Sequence, residues 1–140
     1  LLVNAAGNEG NDPWKMISAP ADAKNVFTIG ANDSSKNPAD FTSFGPNAVG
    51  ILKPNVSALG QNIVVYLPSG SLTYSNGTSF ASPVTAGAMA VMLQKFPKVS
   101  LENLKDNVQK SAHLFGNPTL NSNILSKFSI MKKLIKNYWL

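Results

Sequence analysis

The sequence predicts an α/β fold, a mostly parallel sheet with flanking helices and one buried central helix. Three observations lead there. Short β-rich runs bounded by turn residues alternate with helical patterns along the 140 residues. The stretch Thr78 to Phe96 is small or apolar on nearly every face. A second helical stripe with its own cap follows at Ser100.

The elements are expected as follows. Leu1 to Ala6 forms a strand that ends in the turn Gly7-Asn8-Glu9-Gly10, and Val26 to Gly30 forms a second. Asn62 to Leu67 forms a third. Residues 33 to 60 are rich in Ser, Asn, Pro and Gly, hence mostly loop, with a short strand around Val49 to Leu52. Thr78 to Phe96 forms a helix buried on all sides, in which Pro83 is expected in the first turn, where its missing N–H does no harm. Pro97 ends it. Ser100 then caps a helix whose Leu101, Leu104, Val108 and Ala112 recur at three-and-four spacing, with Glu102 near its positive end. A third helix runs from about Ile124 to Trp139, with an apolar surface too wide for one docking face.

Composition narrows the function. An apolar fraction of 44% with 14% charge fits a soluble globular domain, or a piece of one. No stretch reaches the ~18 consecutive apolar residues of a membrane span, and the first residues lack a signal-peptide layout. The chain opens on Leu1-Leu2-Val3 with no cap or turn before it, which reads as the middle of a strand with upstream sequence missing. Cysteine is absent, so thiolate catalysis, disulfides and cysteine-bound metals are excluded. The net charge of +5 arises from Lys110, Lys127, Lys132, Lys133 and Lys136, because the seven acids and seven lysines before them cancel. With no arginine anywhere, nucleic acid is not an expected partner, and the basic tail reads as a solvated helix face. Acceptor patterns for N-glycosylation at Asn32, Asn55 and Asn76 carry little weight in an Asn-rich chain.

Chemistry concentrates in Asn76 to Gly87, NGTSFASPVTAG. A Ser at the start of a helix is ordinarily a cap. Here Gly77-Thr78-Ser79, then Ala81, Pro83 and the small residues after it, resemble the nucleophile motif of the subtilase family of serine proteases. Leu2 to Gly10, LVNAAGNEG, resembles the segment that supplies that family's oxyanion-hole asparagine. The two lie in family order and about seventy residues apart. The resemblance implies that Ser79 is the nucleophile and that Asn8 and the Ser79 N–H bind the oxyanion. Helix N-termini suit both tasks, because orphan N–H groups and the dipole favour negative charge.

The same resemblance implies more. Ala5, Ala6 and Gly7 line a wall of an apolar specificity pocket, Glu9 sits at its rim, and Thr78 belongs to the substrate-binding set. Ala19-Pro20 is cis, against a base rate of about one in twenty. Calcium is a family-level expectation through carbonyls near Ala21 to Val26, although no acidic cluster demands it; no other cofactor is expected. The likeness extends through Phe41-Thr42-Ser43-Phe44-Gly45 and Lys53-Pro54-Asn55-Val56 to about Asn117, and residues 118 to 140 depart from the family pattern.

In the family's chain order both triad partners of the serine precede it. The 140 residues therefore correspond to the C-terminal part of a catalytic domain, without the catalytic Asp and His. Expected partners are the missing N-terminal half and a peptide or protein substrate, with self-association through exposed apolar surface. Alone the chain is expected to be inactive, and the family resemblance implies a secreted or cell-envelope location. Gly77 to Ala81 also nearly match a nucleophile elbow, with Asp106 and His113 following in α/β-hydrolase order. Seven residues on one helix put those two about 10 Å apart, too far for the carboxylate to orient the imidazole. A P-loop, a dinucleotide fingerprint and a histidine zinc site are unsupported by any spacing. A different class remains open, a non-catalytic fragment or degenerate protease that binds a partner.

Overall fold

The structure is a computed structural model and describes residues 1–112. Three strands, β1 (Val3–Ala5), β2 (Phe27–Asn32) and β3 (Val56–Leu59), form a parallel sheet in the order β1-β2-β3. Val3 pairs with Phe27 and Ile29 with Val56. Every residue of β2 is buried, as expected of a central parallel strand covered on both faces.

Helix α1 (Thr78–Lys95) lies across all three strands. It presents Ala81, Thr85 and Met89, one turn apart, and Ala81 and Met89 pack with Phe27, Ile29, Ala31, Val56 and Ala58. Helix α2 (Leu101–Lys110) adds Leu104 and Val108 to the same core. Its start is built as the sequence predicts, with the Ser100 Oγ accepting from the Asn103 N–H at 3.2 Å. Asp106 is ion-paired with Lys110 at 2.6 Å on an exposed face, which leaves it no role as a triad carboxylate.

Several expectations are corrected. The first strand is Val3–Ala5 rather than Leu1 to Ala6, and Leu1 and Leu2 are exposed. No strand forms at Val49 to Leu52. Asn47 closes a turn there, its N–H bonded to the Ile51 carbonyl, with Gly50 at φ +78°. The strand of that region is β3, four residues further on. The run around Val64 is not a sheet strand but half of an antiparallel hairpin, β4 (Ile63–Tyr66) with β5 (Leu72–Ser75), so the polar Thr73 to Ser75 do form a strand, on the surface.

Helix α1 is not buried on every side among the described residues. Val84 is 56% exposed and Val91 41%, because the sheet covers one face and no other described element covers the opposite one. Pro83 is the sixth residue of α1, past the first turn, so its missing N–H removes the donor that the Ser79 carbonyl would otherwise accept from. Leu101 precedes the docking face of α2 and is exposed. The Ala19–Pro20 bond is cis as expected, and Gly45–Pro46 and Lys53–Pro54 are also cis. The expected helix from Ile124 to Trp139 lies outside the described residues.

Candidate active site

The first turn of α1 and the turn after β1 meet. Gly77, the residue before the helix, has no side chain to cap it, and no local cap replaces one. The orphan N–H of Thr78 is instead taken by the Asn8 Oδ1 at 2.9 Å, across 70 residues of sequence. Thr78 reinforces the junction: its hydroxyl donates towards Asn8 Oδ1 at 3.1 Å or the Gly7 carbonyl at 3.3 Å and accepts from the Gly7 N–H at 3.2 Å. Because a backbone N–H can only donate, the carboxamide oxygen of Asn8 must face it. The Nδ2 group is thereby turned away from the junction, with no acceptor among the described residues.

Ser79 follows Thr78 directly. It is exposed, and neither its N–H nor its hydroxyl has a hydrogen-bond partner among the described residues. The structure thus brings together Ser79 and Asn8, with two unengaged donors at a helix N-terminus where the dipole favours an anion. Gly60 sets the helix start. Its carbonyl accepts from the Gly77 N–H at 2.8 Å, and a Cβ on it would stand 2.7 Å from both Ala31 Cβ and the Gly77 carbonyl.

The turn after β1 is braced from behind by Ser43, a fully buried residue that sequence reasoning passed over as part of a motif stretch. Its N–H donates to the Gly7 carbonyl at 3.0 Å, its Oγ accepts from the Glu9 N–H at 2.9 Å, and its hydroxyl donates to the Glu9 carboxylate. Gly7 sits at φ +109°, where a Cβ would run into the Glu9 carboxylate and stand 2.8 Å from Ser43 Oγ.

The expected pocket wall divides. Ala5 and Gly7 are half-buried, but Ala6 is 1% exposed and faces the core, because side chains alternate along a strand. Glu9 is half-buried and tied back to Ser43. Thr78 is also corrected. At 1% exposure its side chain cannot touch substrate, and it serves to position Asn8. His113 lies outside the described residues, so the rival arrangement contributes only Asp106, already paired with Lys110.

Near the carbonyls suggested for calcium, the oxygens of Ala21, Ala23 and Val26 converge on the ammonium of Lys53. Burial lowers the Lys53 pKa to about 8, against the attraction of Asp22 and with added repulsion from Lys105. Among the described residues no group of three or more His, Cys, Asp or Glu is placed to hold a metal.

Comparison with known proteins agrees with this geometry. Residues 1–128 match the model of the Subtilase family, reaching beyond Asn117. Subtilisin DY of Bacillus licheniformis is 37% identical over 117 residues, which is 83% of this chain and 40% of that protein. The cell wall-associated protease of Bacillus subtilis (strain 168) is 32% identical over 112 residues, 80% of this chain and 12% of its own length. The chain therefore spans well under two thirds of these relatives. Among solved structures, the epidermin leader peptide processing serine protease of Staphylococcus aureus superposes with a TM-score of 0.70 at 23% identity, covering 99% of this chain and 41% of that one. Sphericase does so with a TM-score of 0.65 at 25% identity, covering 80% and 39%. With a family match over most of its length, on a parallel α/β frame that joins the asparagine turn to the serine helix, the chain belongs to the subtilase family.

Proposed function

We propose that this chain carries the nucleophile and the oxyanion donors of a serine endopeptidase, and that the histidine and aspartate of the triad come from polypeptide outside these 140 residues. One observation carries the proposal. Asn8 caps α1 with its oxygen, so its Nδ2 and the Ser79 N–H are the two donors left unengaged beside an exposed serine hydroxyl. A peptide carbonyl attacked by Ser79 Oγ becomes an oxyanion, and two such donors stabilise it where the charge develops. The supplied histidine accepts the Ser79 proton and returns it to the leaving amine, while the aspartate orients the imidazole. Ala5 and Gly7, half-buried and apolar, suit a pocket for an apolar side chain of the substrate.

A histidine-free Ser79 is an ordinary hydroxyl. A fluorophosphonate probe leaves the chain alone unlabelled and labels it when the polypeptide bearing the histidine and aspartate is supplied, and Ser79→Ala abolishes the label. Labelling of the isolated chain that Ser79→Ala removes would refute the division of the triad and return attention to His113. In the complete enzyme Asn8→Ala lowers kcat about 10²–10³-fold, a magnitude carried over from subtilisin itself. A loss under about threefold removes Asn8 from the oxyanion site.

A secreted or cell-envelope location accords with the cell wall-associated relative, and no helix among the described residues is long and apolar enough to cross a membrane. A second reading, a partner-binding module, is favoured by one feature. Val64, Tyr66, Leu72 and Tyr74 stand exposed on one face of the β4–β5 hairpin. Sedimentation separates the two: a monodisperse monomer disfavours the module, and a tight oligomer or obligate complex supports it.

A further inference from the structure

Lys53 is 2% exposed, a rare state for a lysine, and a buried ammonium persists only when its protons are met. They are met by four oxygens: the carbonyls of Ala21 at 3.0 Å, Ala23 at 2.8 Å and Val26 at 2.6 Å, and the Thr28 Oγ1 at 2.8 Å. The Thr28 hydroxyl donates its own proton to the Ala21 carbonyl at 2.6 Å, which turns its lone pairs towards the ammonium. Three carbonyls drawn from one six-residue segment thus point at one place. Their negative ends repel one another unless a cation stands there. With its pKa near 8, Lys53 is that cation at pH 7.

Calcium does not fit this donor set. It takes about 6–8 oxygens at about 2.3–2.6 Å, usually with carboxylates among them. Here there are four, all neutral, at 2.6 to 3.0 Å, and no carboxylate touches the ammonium. Neutral carbonyls at that spacing suit a monovalent cation instead.

We propose that the segment from Ala21 to Val26 is a cation site loaded from within: Lys53 is its resident cation, and with that side chain shortened the same four oxygens take a free monovalent cation of ammonium size. The tie joins the loop that enters β2 to the residue that enters β3, so it holds two adjacent strands of the sheet in place without any added metal.

The test compares the thermal midpoints of the full chain, of Lys53→Ala and of Lys53→Met. Each is measured in potassium chloride, ammonium chloride, calcium chloride and N-methylglucamine chloride at equal ionic strength, the last cation being too large for the site. Lys53→Met keeps the apolar stem and vacates the ammonium position, which covers the case in which the alanine variant does not fold. The expected result is a gain of about 5 °C for at least one variant in potassium or ammonium, growing with the logarithm of salt, and none for the parent chain. The proposal is overturned if neither variant gains, if the parent gains equally, or if calcium stabilises a variant more than potassium does.

Discussion

Removing one buried hydroxyl tests how the candidate site is held. Thr78→Val keeps the shape of the side chain and deletes the oxygen that receives the Gly7 N–H at 3.2 Å and donates to Gly7 or Asn8. An orphaned buried donor costs about 1–3 kcal/mol, and the lost donated bond adds about 1 kcal/mol. The sum, about 3 kcal/mol, lowers the midpoint of a domain this size by roughly 10 °C. Circular dichroism during thermal unfolding measures it, with Thr78→Ser as the control that restores the hydroxyl. In the complete enzyme the same change loosens Asn8, so kcat falls while Asn8→Ala made on top of it does less than it does alone. Thr78→Val within about 2 °C of the parent, or strictly additive effects with Asn8→Ala, would show that Thr78 does not position the asparagine.

Other outcomes follow from the same contacts. Gly7→Ala places a Cβ against Glu9 and Ser43 at φ +109°, and a destabilisation of at least about 2 kcal/mol in urea unfolding is expected; a neutral result contradicts the bracing described for the turn. Leu104→Ala empties a core position that is 4% exposed and costs about 2–5 kcal/mol by the same assay, whereas Lys110→Ala, which breaks only an exposed pair with Asp106, stays within about 0.5 kcal/mol. Lys53 gives a pH signature. Its pKa of about 8 in the folded chain lies below the 10.5 of an unfolded one, so below pH 8 both states hold the proton and this group adds no slope. Between 8 and 10.5 the unfolded chain binds more protons, and stability rises with pH. Lys53→Met removes that rise, and equal slopes in both proteins would refute it; Asp22 and Lys105, the charged groups that act on Lys53, are unchanged in the comparison.

The reactive pair was legible because each half is local. A serine at the head of a small-residue helix and an asparagine in a glycine turn are read from neighbours in sequence, and the structure brings the two segments together. Thr78 was misassigned to the substrate because nothing in NGTS tells which hydroxyl faces inward; burial decides it. β3 was missed because Val-Ser-Ala-Leu follows Pro54 and Asn55 and carries less apolar signal than Val49 to Leu52, which Gly50 bends into a turn. Apolar character all round α1 was read as burial all round, although composition cannot say how many faces find a partner. Lys53 was invisible for a deeper reason. A lysine reads as surface, and the oxygens that hold it lie 25 to 32 residues away, converging only once the loop before β2 has folded.

Capping α1 from a distance has a consequence for when reactivity arises. Because the first N–H of the helix is satisfied by Asn8 and not by Gly77, the helix can wind early, but its N-terminal turn is completed only after a long loop closes. A half-folded copy then displays a serine with no aligned amide beside it, unable to steady the charge of an attacked peptide. On the proposed function, cutting ability arrives with the final closure of the chain, and polypeptides still folding nearby are spared until then.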